Sequence, residues 1–395
     1  MRIADRIASL PPYVFARVGK RIADLRATGV DVINLGIGNP DLAPPVALVE
    51  TLHRSAQKPD HHGYAGYYGI PALREAVATY YERRFEVLLD PDCEILPLIG
   101  SKEGTANVAL AFIDPGDVAL VPDPGYPTYR MGTLLAGGQV CPFVLRSDSG
   151  FIPDFDRIPK EALSRAKLMW LNYPNNPTGA TATLRFFAKA VAFAREHDLL
   201  LCHDNPYCDI TYDGYVAPSI LQVSGAKDVC IEFNSLSKTY NMAGWRVGMA
   251  VGNSTAIEAL ATIKTNVDSG VFRPIQDAAI AALTGDQEWL VQRNATYQRR
   301  RDLLLGSLPQ VGLSAGTPRA SLYVWARVPE GQDSTEFAWS TLERTGVWLT
   351  PGTVFGDTGR RHVRVSLTVP DERLAEACER LRGAQRSNTQ RRTGR

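Results

Sequence analysis

Between about residue 95 and residue 255 the chain alternates short apolar runs with amphipathic stretches. This rhythm constrains the fold more than any other feature, because repeated strand–helix units close into a mostly parallel sheet flanked by helices. The runs Val118–Val121, Leu168–Leu171, Leu199–Cys202 and Val229–Phe233 read as strands. Between two of them, Leu184, Phe187, Val191 and Ala194 fall at helical spacing, with Thr183 as N-cap. The C-terminal third differs. Ala320–Trp325 and His362–Leu367 read as antiparallel strands, followed by a helix from about Asp371 to Arg382, a pattern expected of a smaller α+β domain. At 395 residues the chain exceeds one simple core. The expected division is an N-terminal arm joining the small domain over 1–45, a large α/β domain over 46–280, and a small domain over 281–385. A disordered basic tail is expected over 386–395.

The residues just past the strands matter more than the strands. Tyr126 follows the first run, Asn176 the second, Asp204 the third and Lys238 the fourth. In open α/β sheets ligands collect outside the carboxyl ends of the strands, so these four loops should meet at one crevice. Lys238 lies in Ser235-Leu-Ser-Lys-Thr-Tyr-Asn-Met-Ala-Gly-Trp-Arg246-Val-Gly248. A lysine that loses its proton can form an imine with an aldehyde, and neighbours and desolvation make it do so. Ser235 and Ser237 can donate to phosphate oxygens, and the Arg246 fork can clamp a dianion. An aldehyde and a phosphate in one ligand are the chemistry of pyridoxal phosphate.

The other loops fit that ligand. Asp204 ends Leu-Leu-Leu-Cys-His-Asp, where a buried carboxylate can keep a pyridine nitrogen protonated. Tyr207 and Asn176 can each donate to a ring oxygen, and Tyr126, in Pro-Asp-Pro-Gly-Tyr-Pro-Thr-Tyr129, sits on a proline-stiffened loop suited to stacking. Gly100-Ser101-Lys102-Glu-Gly104 opens a helix after an apolar run, and free N–H groups at a helix start bind phosphate. Each signal has a plainer alternative. Asp204 could cap a helix, Asn-Pro-Thr-Gly is a common turn, either tyrosine could be core, and the lysine loop could be a solvated serine-rich turn. Gly36-Ile-Gly38-Asn-Pro40 lacks the third glycine of a dinucleotide fingerprint, and Pro40 stands where a helix should open.

Composition excludes other classes. The formal net charge of +1 leaves no electrostatic footprint for nucleic acid or an anionic membrane. The six cysteines include no CxxC pair and read as reduced thiols. There is no HExxH or Cys/His spacing for a metal, no signal-like N-terminus, and no apolar stretch of about 18 residues for a membrane span. A cytoplasmic protein without metal is expected.

Together these segments resemble the fold-type I, pyridoxal-phosphate-dependent class I and II aminotransferases, from about Ile33 to Leu381. The resemblance implies that Lys238 is the Schiff-base lysine and Asp204 the partner of the pyridine nitrogen. It implies Asn176 and Tyr207 at the ring oxygen, Tyr126 on the ring, and Ser101, Lys102, Ser235, Ser237 and Arg246 at the phosphate. Arg364, in His-Val-Arg-Val-Ser-Leu, matches the arginine for the substrate α-carboxylate, and Gly38 the backbone N–H beside it. Lys102, Tyr126, Asn176 and, with them, Tyr13 and Asn266 are implied at the substrate. Tyr64 matches a tyrosine that reaches the neighbouring subunit's phosphate in a homodimer. The closer resemblance is to LL-diaminopimelate aminotransferases, through Ile3-Ala-Asp-Arg-Ile-Ala-Ser-Leu-Pro-Pro-Tyr13-Val-Phe, Pro97-Leu-Ile-Gly-Ser-Lys-Glu-Gly104 and Asn266-Val-Asp-Ser-Gly-Val-Phe272. It implies transfer of an amino group to a 2-oxo acid such as 2-oxoglutarate, in lysine biosynthesis. An aspartate/alanine-type aminotransferase or a carbon–sulfur β-lyase shares the fold. One position departs: where members carry a glutamate for the distal amino group, this chain has Tyr67.

Overall fold

The computed structural model describes residues 1–8, 10 and 14–393, with side chains excepted at 5, 14–17 and 384–393. Tyr13 lies outside the described residues. In chain order the first strands are β1 (Ile33–Asn34), β2 (Ile95–Leu98), β3 (Val118–Asp123), β4 (Gln139–Val144), β5 (Ala166–Leu171), β6 (Leu200–Asp204), β7 (Cys230–Ser235) and β8 (Gly248–Gly252). The C-terminal part adds β9 (Ser314–Ala315), β10 (Tyr323–Arg327), β11 (Val347–Trp348), β12 (Thr350–Pro351) and β13 (His362–Ser366).

A seven-stranded sheet in the order β2-β8-β7-β6-β5-β3-β4 forms the centre. All its neighbours pair in parallel except β8, which is antiparallel to both β7 and β2. Alternation explains why the inner strands are apolar on both faces. Leu168 and Trp170 of β5 pack with Val108 and Ala109 of the helix Ser101–Phe112 and with Leu260 of the helix Ser254–Val267. Met169 and Leu171 face the other way, into a cluster with Phe187 and Val191 of the helix Leu184–Glu196 and with Tyr80, Tyr81 and Phe85 of the helix Pro71–Phe85. Thr183 caps the helix Leu184–Glu196 as expected, its side chain accepting from the Phe186 N–H at 3.3 Å. Each large apolar side chain fully buried here stabilises the fold by about 1.5–3 kcal/mol.

The smaller sheet runs β12-β13-β10-β9, with β10 and β13 antiparallel as expected. β1 pairs in parallel with β11, and the Ser366 N–H donates to the Leu35 carbonyl at 2.7 Å. These bonds tie residues 33–38 beside β13, while Val18, Ile22 and Val32 pack on Ala338, Leu342 and Trp348. The N-terminal segment is thereby built into the C-terminal part. The helix Glu288–Ser307 buries Tyr297 and Leu304 against the small sheet.

The last helix is longer than its apolar pattern suggests. It runs Asp371–Thr393, so backbone expected as a disordered tail continues as helix. The segment holds good helix formers such as Ala384, Gln385 and Arg386, and extending an existing helix avoids the cost of nucleation. Among the described residues no helix is long and apolar enough to cross a membrane.

Candidate active site

β6 delivers Asp204 as its last residue, 6% exposed. The Tyr129 hydroxyl donates to Oδ2 at 2.5 Å, while Oδ1 is buried with no partner. Burial raises the carboxyl pKa from 3.8 to about 6 against the Tyr129 hydrogen bond and the neighbouring His203. A carboxylate oxygen left bare in a buried position is costly unless a ligand meets it.

β7 leads into the short helix Leu236–Thr239, capped by the Ser235 hydroxyl, which accepts from the Ser237 N–H at 3.2 Å. This turn aims the Lys238 side chain across the crevice to the Gly38 carbonyl, to which Nζ donates at 2.7 Å. Burial lowers the Lys238 pKa, helped by the Arg364 and Arg246 cations and opposed by Tyr323. The effect enlarges the fraction of neutral amine, the form that attacks an aldehyde.

Arg246 approaches from the next turn with a left-handed backbone, φ 57°. Its Nη1 donates to the Ala243 carbonyl at 2.9 Å and to the Ser237 hydroxyl at 3.4 Å. Gly100, φ 74°, gives it room: a Cβ there would stand 2.2 Å from Arg246 Nη2. Gly100 is the N-cap of the helix Ser101–Phe112, so Ser101, Ser235, Ser237, Arg246 and a helix start with open N–H groups gather at one end of the crevice. A helix start beside an arginine and hydroxyl side chains is chemistry suited to an anion.

At the other end Arg364 of β13 is buried. Nη1 donates to Asn176 Oδ1 and Nη2 to the Gly36 carbonyl, both at 2.7 Å, and buried Nε has no partner. Asn172 organises the loop that carries Asn176: its Oδ1 accepts from the Asn176 N–H at 2.7 Å and its Nδ2 donates to the Asp204 carbonyl at 2.6 Å. A cavity of about 400 Å³ joins the two ends. Gly38, Ser101, Lys102, Tyr126, Asn176, Asp204, Tyr207, Ser235, Ser237, Lys238, Arg246 and Arg364 all line it, so four loops do converge.

Three residues singled out in the sequence lie outside this chain's cavity, among them Tyr64, expected at the neighbouring subunit's phosphate. Tyr64, 91% exposed, and Tyr67 do not line this chain's cavity. Asn266 is likewise outside it, its Nδ2 donating to the Thr262 carbonyl on its own helix at 2.8 Å. Two tyrosines gain roles that the sequence did not signal. Tyr129 stacks on Trp170 with centroids 4.4 Å apart while holding Asp204, and Tyr323 on β10 lines the cavity with its hydroxyl 3.2 Å from that of Tyr207. A tyrosine in a strand reads as core, and only the β10–β13 register brings Tyr323 beside Arg364.

With this geometry in hand, likeness to known proteins is informative. The family model for aminotransferase class I and II matches residues 30–381. LL-diaminopimelate aminotransferase of Dehalococcoides mccartyi is 52% identical over 381 residues, covering 96% of this chain and 98% of that protein. The same-named protein of Moorella thermoacetica is 52% identical over 382 residues, covering 97% and 98%. A substrate-bound structure of BacF from Bacillus subtilis superposes with a TM-score of 0.93 at 38% identity, covering 98% of each chain.

Proposed function

The chain belongs to the class I and II aminotransferases, and on that footing we propose that pyridoxal 5′-phosphate fills the cavity and that LL-diaminopimelate is the amino donor. The acceptor is a 2-oxo acid, with 2-oxoglutarate the first to test. One observation carries the cofactor: the buried, unpartnered Asp204 Oδ1 shares a cavity with Lys238 and with groups suited to an anion.

The residues fit the group. Ser101, Ser235, Ser237, Lys102 and Arg246 suit its phosphate, Asp204 its ring nitrogen, Tyr207 and Asn176 its ring oxygen, and Tyr126 its face. Bound there, pyridoxal phosphate supplies an electron sink for the carbanion at the donor's Cα. The chain supplies the rest. Lys238 Nζ, its pKa lowered by burial, takes the Cα proton and returns it on the cofactor side. Arg364, with its two Nη atoms fixed by Asn176 and Gly36, orients the α-carboxylate shared by donor and acceptor. Tyr129 keeps Asp204 Oδ2 occupied, so Oδ1 is the atom left to face the ring nitrogen. The same site serves donor and acceptor in turn, which gives ping-pong kinetics.

The active form is a homodimer in which Tyr64 of one copy completes the phosphate site of the other. Support comes from the exposure of Tyr64 outside its own cavity. The donor is tested by incubating the purified protein and cofactor with 2-oxoglutarate and a panel of amino acids, following glutamate. LL-diaminopimelate should exceed aspartate and alanine at least tenfold in kcat/KM, about 1.4 kcal/mol of discrimination. Preference for aspartate or alanine, or pyruvate release from cystathionine without an acceptor, would overturn the choice of donor.

A further inference from the structure

Arg364 is held by an aromatic residue that the reaction as described leaves unused. The antiparallel register sets Tyr323 opposite Ser366 and Trp325 opposite Arg364, so Tyr323 and Arg364 are diagonal neighbours on one face of the sheet. The guanidinium carbon lies 4.0 Å from the Tyr323 ring centroid and 4.7 Å from that of Phe355. Hydrogen bonds from Nη1 and Nη2 fix the fork at its tip, but Nε has no partner, so nothing polar fixes its root. The aromatic contacts supply that restraint. A planar cation against an aromatic face in a desolvated site is attracted by the negative face of the ring.

The Tyr323 hydroxyl occupies a second constrained position. It lies 3.2 Å from the Tyr207 hydroxyl, and a Cβ at residue 38 would stand 1.9 Å from it. Gly38 is therefore required to be glycine by Tyr323, and the Gly38 carbonyl is where Lys238 Nζ docks. The ring thus lies against the carboxylate fork while the hydroxyl sits beside the segment that receives the lysine.

We propose that Tyr323 is a positioning residue for α-carboxylate recognition, its ring holding the Arg364 fork in the plane that donor and acceptor both use. The proposal rests on the reading of Arg364 given above. Because every substrate presents the same carboxylate, loss of the ring should weaken all of them alike, whatever their side chains.

The test uses the cofactor-loaded enzyme and the variants Tyr323→Phe, Tyr323→Leu and Tyr323→Met, the last an adaptable filler in case leucine packs poorly. Removal of the aromatic face should raise KM for donor and for 2-oxoglutarate by a similar factor, roughly ten- to thirtyfold, with a smaller change in kcat. The Kd of a non-reacting dicarboxylate such as maleate, read from the cofactor's visible absorbance, should rise by the same factor. Tyr323→Phe, which keeps the ring, should stay within about threefold of wild type in all three. Arg364→Lys is the control. If it weakens maleate while the leucine and methionine variants do not, or if phenylalanine is as damaging as leucine, Tyr323 does not position the fork. If Arg364→Lys leaves maleate binding unchanged, the carboxylate reading itself has failed and this proposal with it.

Discussion

Asp204 is buried with one oxygen bonded to Tyr129 and the other bare, an arrangement that costs stability in the free protein. The unfolded chain releases this proton near 3.8 and the folded chain near 6. Between those values the folded state holds a proton that the unfolded state has lost, so stability falls as pH rises through the window. The full difference is about 3 kcal/mol. Cofactor-free protein should therefore lose thermal stability between about pH 4 and pH 6 relative to Asp204→Asn, while holoenzyme turnover in the variant drops by several orders of magnitude. Calorimetry across pH checks the first and steady-state kinetics the second. Parallel stability profiles for the two free proteins would remove the charge from Oδ1, and near-normal turnover would remove Asp204 from the mechanism. At this scale the sequence is legible where residue type and position coincide. A lysine among hydroxyls or a carboxylate ending an apolar run announces chemistry, whereas Tyr129 and Tyr323 look like core until their neighbours are known.

Elements were readable in proportion to how local their causes are. β3, β5, β6 and β7 are interior strands whose apolar runs have no other use. The two edge strands are harder to see, because β2 contains Pro97 and β4 contains Pro142, residues an edge tolerates and a periodicity scan discounts. β1 and β11 are two residues each and exist only through pairing across the chain, as Ile33 with Val347. The helix Glu288–Ser307 shows the same dependence on distant partners. Its buried Arg293 donates from Nη1 to the Lys238 carbonyl at 2.9 Å and also reaches the Thr239 and Asp209 carbonyls. That guanidinium fastens the end of the short helix bearing Lys238 to a helix of the C-terminal part. Arg293→Met removes the donors to the Lys238 and Thr239 carbonyls, each worth about 1–3 kcal/mol, while Asn294 Nδ2 still donates to the Asp209 carbonyl at 2.9 Å. The variant should lose roughly 3–5 kcal/mol in urea denaturation and release cofactor more readily on dialysis. A loss below about 1 kcal/mol would mean that water or a neighbour replaces it.

At the scale of the whole molecule, the fold class and the meeting of strand-end loops were legible, because both follow from the order of elements along one chain. What a second copy of the chain would add to the site is not written that way. Tyr64 and Tyr68 are exposed, as are Val267 and Phe272, and the two loops lie against each other, since a Cβ on Gly270 would stand 2.4 Å from the Gly66 carbonyl. Exposed aromatic and apolar side chains gathered in one region mark a surface suited to association. If Tyr64 of one copy binds the phosphate in the other, two impaired variants should rescue each other. Tyr64→Ala and Lys238→Ala are purified separately, mixed and allowed to exchange subunits. In the mixed dimer, the chain carrying Tyr64→Ala keeps its own Lys238 and receives Tyr64 from the Lys238→Ala chain, so one site of the pair is intact. One lost hydrogen bond to a charged phosphate, about 1.5–3 kcal/mol, lowers the Tyr64→Ala parent roughly ten- to a hundredfold, a gap wide enough to see the restored site. Tagging the two chains differently isolates the mixed species for assay. Activity no higher than the mean of the parents in verified mixed dimers, or a fully active monomer, would show that each chain completes its own cavity and that Tyr64 serves another purpose.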